Sequence, residues 1–447
     1  MNNKINNVFY LTLLVVIFLM ALSGIQLYKA DILADTRPHQ KKTANEMPVP
    51  LPVVDKKPLL TDTCTNGVKN IEDYGAESHA GMEPFYKAVV QSKRTSRNVR
   101  IAFFGDSFIE GDLLTGELRK LLQKKFGGSG VGWVDITSQT ASFRPTLDHI
   151  FGGWVCHSPV DTTGFRRSLQ GIAERYFRPQ SGSYMQYRLQ DKMTRVKDTC
   201  DVASLYFKSS MPVTLATSVN GGTKQEEVLS GSESLQQKKF YQRIHKIRWE
   251  VDDASGSDDT YFYGAAFEGA KGIVLDNFSL RGSSGNSLTG IPLKHLQQMN
   301  ALRPYDLIIL EFGLNVATER GTDYKKYENA MKRTIAYLRT AFPHAGFLLL
   351  GVADRAHRNE SGDLETMPGV KNLIRYQQYV ASESGIAFWN FFEAMGGSGS
   401  MVKLVKAHKA NLDYTHIKYS GGLILANILY QAITQGEEQY ERRINEK

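Results

Sequence analysis

Val99-Arg-Ile-Ala-Phe-Phe-Gly-Asp-Ser107 holds the most informative pattern in the chain, an apolar run that stops on Gly-Asp-Ser. The run is short and nearly continuous, which is how a parallel strand covered on both faces reads. Beyond it Leu114, Leu118, Leu122 and Phe126 recur every fourth residue with Leu121 beside them, and Gly127-Gly128 ends the segment as a C-cap would, so an amphipathic helix is expected. Ser107 then falls in a strand-to-helix connection at the carboxyl edge of a sheet, where open α/β sheets bind their ligands.

A serine hydroxyl is a weak nucleophile unless a base takes its proton and a third group orients that base. Of the ten histidines, two have a carboxylate three residues upstream: Asp354-Arg-Ala-His357 and Asp413-Tyr-Thr-His416. In a turn that spacing lets the carboxylate reach the imidazole and fix its tautomer. Spacing alone leaves both pairs open. Context favours the second, because His416 is followed by Tyr419-Ser-Gly-Gly-Leu423 and the apolar helical run Ile424–Tyr430, whereas His357 lies in a polar stretch without an apolar anchor.

Four segments in order, Gly105-Asp106-Ser107, Gly282 within Leu280-Arg-Gly-Ser-Ser284, Gly313-Leu-Asn315 and Asp413-x-x-His416, resemble the four blocks of the SGNH (GDSL-like) hydrolase superfamily. The resemblance implies a three-layer α/β/α, flavodoxin-like parallel sheet and a triad of Ser107, His416 and Asp413. It also implies an oxyanion hole made by the backbone N–H groups of Ser107 and Gly282 and the side chain of Asn315, with Gly285 a near alternative to Gly282. Pre-aimed donors of this kind stabilise the anionic oxygen of an acyl-transfer intermediate. Val316 and Phe108 depart from the usual pattern at positions without a role in the triad scheme, and neither cofactor nor metal is expected.

Gly282 stands about 175 residues beyond Ser107, whereas a βαβ unit occupies roughly 30. An insertion is therefore expected. Ser183–Leu189, Ala203–Phe207, Val213–Val219, Lys246–Val251 and Thr260–Gly264 alternate β-branched and aromatic residues between turn signals, which points to an antiparallel β-sandwich at 140–270. Some peptidoglycan O-acetylesterases of the superfamily are similar in carrying a carbohydrate-binding-like sandwich there, and Trp154, Trp249, Tyr261 and Tyr263 are candidates either for sugar stacking or for its core. Residues 61–139 and 271–447 are left for the hydrolase domain. In the latter, Tyr305–Phe312, Gly346–Gly351 and Ile386–Phe392 read as strands and Tyr324–Ala341 as a helix.

The N-terminus has a different character. Val8–Tyr28 is an apolar run between Lys4 and Lys29 within residues 1–30. It is about long enough to span a bilayer, so an uncleaved transmembrane anchor is expected, with a cleaved signal as the alternative. Residues 31–60 read as a proline-rich linker. Cys64, Cys156 and Cys200 allow at most one disulfide, and the formal net charge of +8 comes without an aromatic-interleaved basic cluster, so no nucleic acid is expected. The reading is an exported esterase in the cell envelope, its catalytic domain in the periplasm or on the cell surface, acting on O-acylated envelope polysaccharide or peptidoglycan. An O-acetyltransferase with the same triad and a carbohydrate-binding protein with a vestigial triad are its rivals.

Overall fold

A computed structural model describes residues 50–58, 68–75, 78–161, 163–193, 196–252 and 259–446. The expected anchor at Val8–Tyr28, most of the linker and Cys64 lie outside these residues. Among the described residues no helix is long and apolar enough to cross a membrane.

The described elements begin with β1 (Glu72–Asp73), α1 (Glu83–Ser92), β2 (Asn98–Gly105) and α2 (Thr115–Phe126). An antiparallel region follows: β3 (Gly132–Val134), β4 (Leu147–His157), β5 (Tyr176–Asp191), β6 (Val196–Lys197), β7 (Cys200–Ser209), β8 (Val213–Val219), β9 (Gln225–Leu229), β10 (Ser232–Ile244), β11 (Lys246–Asp252) and β12 (Thr260–Glu268). The α/β pattern resumes with β13 (Gly272–Ser279), α3 (Leu293–Leu302), β14 (Leu307–Glu311), α4 (Lys325–Ala341), β15 (Gly346–Leu350), a β16–β17 hairpin (Ala356–Arg358, Leu364–Thr366) and α5 (Pro368–Ser384). It ends with β18 (Ala387–Trp389), α6 (Phe391–Ala394), α7 (Ser400–Lys406) and α8 (Tyr419–Asn445).

β1, β18, β15, β14, β2 and β13 form one sheet in that order, parallel except for β1. β14 and β15 are buried at every position, as strands with helices on both faces must be. The expected helix after Ser107 and the expected strands of this sheet are present. One expectation fails locally: Phe391 and Phe392 leave the strand and enter α6, whose first turn is capped by the Asn390 side chain.

β2 and β13 are neighbours in register from Asn98↔Gly272 to Gly105↔Ser279, although the whole antiparallel region lies between them in sequence. That region pairs into one sheet that shares β5 along its length. β12 meets the start of β5 and β11 its end, yet Trp249 of β11 and Phe267 of β12 stack with ring centroids 6.2 Å apart, so the inner face closes on itself around an aromatic core. Trp249, Tyr261 and Tyr263 are buried, and Trp154 is half-buried with its indole N–H donated to the Tyr184 carbonyl. Of the two readings of these aromatics, three of the four take the core.

The antiparallel pairing begins at β3, ahead of residue 140, and the region is fastened to the parallel sheet by more than its ends. Trp133 packs on Phe278, and the Arg303 guanidinium bridges Glu268 of β12 (2.7 Å) and Asp276 of β13 (2.6 Å). Asp112, fully buried, accepts hydrogen bonds from Arg119 (3.0 Å), Arg144 (2.9 Å), Thr146 (2.7 Å) and Asn277 (3.1 Å). Burial alone would push this carboxyl up, but Arg119 and Arg144 overcome it and hold it well below the usual carboxylate range.

α8 packs closely on the segment after Ser107: a Cβ added at Gly422 would lie 1.7 Å from the Leu113 carbonyl oxygen. Gly422→Ala must therefore push the helix that follows His416 away from the serine segment. The expected outcome is a loss of roughly 1–3 kcal/mol in urea unfolding; an unchanged midpoint would contradict the contact.

Candidate active site

Ser107 is the second residue past β2. The turn is shaped by Asp106, whose Oδ1 accepts the Phe108 N–H at 2.9 Å, and by Phe108, buried edge-on against Phe391. With its neighbours pinned inward, Ser107 is left at the rim.

His416 and Asp413 come from a tight loop ahead of α8. Asn411 N–H donates to the His416 carbonyl (2.8 Å), Ala410 and Ile417 form a bridge, and Tyr414 takes a left-handed φ of 53°. Ala356 N–H donates to the Tyr414 carbonyl at 3.1 Å and ties the loop to the β16 edge.

The loop sets His416 Nε2 3.0 Å from Ser107 Oγ and His416 Nδ1 2.8 Å from Asp413 Oδ2. Asp413 Oδ1 also accepts the backbone N–H groups of Thr415 and His416, both at 3.0 Å. Partial burial pushes the Asp413 carboxyl up, but these bonds and the imidazole outweigh it and bring it below its ordinary value. The Asp413 carboxylate therefore stays ionised and favours the tautomer with hydrogen on Nδ1, which leaves Nε2 free to accept the serine proton. The other pair is not assembled. Asp354 is buried and accepts from Thr366, Ser400 and Met401, while His357 faces Glu365 at 3.2 Å.

Gly282 has a φ of 78° with open space where a side chain would stand, and among the described residues its N–H meets no protein acceptor. Gly285, the alternative, is enclosed by Phe312 and Met331 and donates its N–H to Ser283 Oγ (3.1 Å). Of the two, Gly282 presents the available donor. Asn315 follows β14 through Gly313, whose φ is 143°. Its Nδ2 donates to Asp106 Oδ2 at 2.8 Å and to the Ser283 carbonyl at 2.9 Å. Both partners only accept, which fixes the amide orientation. The amide braces the Gly282 segment against the serine turn, and giving a hydrogen to an oxyanion requires one of these bonds to be shared.

Beneath this brace lies a carboxyl pair that sequence reading did not single out. Glu311, the last residue of β14, is buried, and the Asp106 N–H approaches it without forming a full hydrogen bond. Burial and the nearby Asp106 raise the Glu311 carboxyl well above its ordinary value, and burial raises Asp106 to about 6. Glu311, raised chiefly by its burial and next by the Asp106 charge, thus keeps its proton above the usual carboxylate range. A lone Glu at the end of the apolar run Leu307–Leu310 was the available signal.

No family model matches the chain, and no curated protein sequence does. A solved structure described as a peptidoglycan O-acetylesterase in action superposes with a TM-score of 0.67 at 20% identity, over 83% of this chain and 99% of that one. The chain shares its fold with that structure. A family two carbohydrate esterase from Cellvibrio japonicus is also matched, at 9% identity and a TM-score of 0.27 over 66% of this chain and 98% of that one. In the fold of this chain, the serine, glycine and asparagine segments sit at the carboxyl ends of β2, β13 and β14, and the histidine lies in the loop before α8.

Glu311→Gln tests the buried pair. Unfolding ionises Glu311 near its ordinary value, about 4.3, whereas the folded protein resists that ionisation, so wild type loses stability as pH rises through and above that value. The amide lacks this penalty. In urea unfolding the variant's stability relative to wild type should be greater at pH 8 than at pH 5; a difference independent of pH would contradict the raised Glu311 carboxyl.

Proposed function

We propose that this chain is an exported, membrane-tethered serine esterase that removes O-acetyl groups from a cell-envelope carbohydrate such as peptidoglycan. The observation that carries the proposal is the continuous chain of hydrogen bonds from Ser107 Oγ through His416 to Asp413. The likeness to a structure described as a peptidoglycan O-acetylesterase supports the substrate. The apolar run Val8–Tyr28 supports the tether and the envelope location.

In the proposed reaction Ser107 Oγ attacks the ester carbonyl carbon while its proton passes to His416 Nε2, and Asp413 stabilises the imidazolium that forms. The carbonyl oxygen becomes anionic and is met by the N–H groups of Ser107 and Gly282 and the Asn315 amide, each donor worth about 3 kcal/mol. The bond to the sugar oxygen breaks, and His416 returns its proton to that oxygen. Water, deprotonated by the same histidine, then attacks the acyl-serine; the bond to Ser107 Oγ breaks, His416 returns the proton to that oxygen, and acetate leaves. The Asp413 and His416 side chains are 48% and 37% exposed, so water reaches the base readily, which favours hydrolysis over transfer to a second sugar.

Ser107→Ala should lower acetate release from an acetyl ester by about 10⁴-fold, and His416→Ala should match it, because triad members act as a unit. His357→Ala should leave the rate close to wild type. Substantial turnover by the folded Ser107 variant, or the reverse ranking of the histidines, would refute this assignment.

A further inference from the structure

A cleft of about 360 Å³ lies beside the serine and glycine segments, at the carboxyl end of β13. That volume falls within the roughly 300–1,000 Å³ of small-ligand sites. One wall is Glu110 and Gly111, just past Ser107, together with Leu280 and Arg281, just before Gly282. The opposite wall belongs to the antiparallel region and comprises the 137–140 segment, Cys156 of β4 and Arg175. Residues on both sides of the proposed reacting centre thus border a space that the inserted strands close.

The chemistry of the walls selects the occupant. Three carboxylates (Glu110, Asp135, Asp161) and three guanidinium groups (Arg144, Arg175, Arg281) line the cleft, so the formal charges cancel. The guanidinium groups are already engaged: Arg281 with Glu110, Arg175 with Asp135 at 2.9 Å, and Arg144 with Asp112 at 2.8 Å. An anion would find no free cation among these three. Thr137, Ser138, Gln139 and Thr140 add hydroxyl and amide groups that both donate and accept. Trp133 is buried, so its ring is no stacking platform.

We propose that this cleft is a saccharide subsite that holds an uncharged, hydroxyl-rich ring of the acylated glycan next to the Gly282 segment, with the inserted strands as its outer wall. The proposal rests on the esterase reading above and names the place where its carbohydrate is held. It also gives the inserted region a part in the site itself.

Two measurements test it. In Gln139→Ala and Thr140→Val, each checked for folding, kcat/KM for an O-acetylated N-acetylhexosamine oligosaccharide should fall relative to that for phenyl acetate by roughly tenfold per lost hydrogen bond. The loss should lie in KM. The second is independent of turnover. Cys156 lies at the surface of the wall, its thiol pushed up to about 11 chiefly by desolvation. In mildly alkaline buffer a maleimide should modify it slowly, and in the Ser107→Ala protein the oligosaccharide should slow that reaction further while phenyl acetate should not, as read by peptide mass spectrometry. Lack of protection at saturating oligosaccharide, or an unchanged substrate ratio in both variants, overturns the subsite. If wild type cleaves neither ester, the esterase reading fails and the protection result alone decides the subsite.

Discussion

The buried Asp112 carboxylate is the constraint on which the rest of this structure depends. It stands five residues beyond Ser107 and gathers groups from α2 (Arg119), the inserted region (Arg144, Thr146) and β13 (Asn277). A buried charge left without its partners is strongly destabilising, so these elements must come together or not at all. The segment leaving the serine, the root of the insertion and the strand leading to Gly282 are thereby held in one arrangement. Asp112 itself takes a left-handed φ of 62°, a strained conformation that its bonds maintain.

The insertion is thus part of the body built on the parallel sheet. The pairing of β2 with β13 requires the chain to leave the parallel sheet and return in register beside the strand it left. Trp133 against Phe278 and Arg303 across Glu268 and Asp276 make that return specific. The cleft proposed to hold the sugar accordingly takes its walls from both layers.

Much of this was legible in the sequence, and what was not has a physical cause. The strand before Ser107, the helix after it, the Asp413–His416 pair and the position of Asn315 are set by local patterns of apolar period and turn residues. A pattern confined to a few neighbouring residues carries that information. The length between Ser107 and Gly282 announced the insertion. Three features depend on contacts between distant segments and had no local signature. Glu311 and Asp106 meet only because β2 and β14 are neighbours. The Asn315 amide spends both hydrogens on Asp106 and Ser283, which lie on two other loops. Trp249 and Tyr263 are candidates for stacking on a sugar as well as for filling a core until the sheet closes over them.

The central claim is that Ser107 is a nucleophile activated by His416. Its most direct measurement is the mass of the intact protein, followed by peptide mapping, after exposure to a fluorophosphonate that captures activated serines. The account predicts one adduct, located on Ser107 and absent when His416 is replaced by Ala. An adduct elsewhere, or labelling of Ser107 that persists without His416, would contradict it.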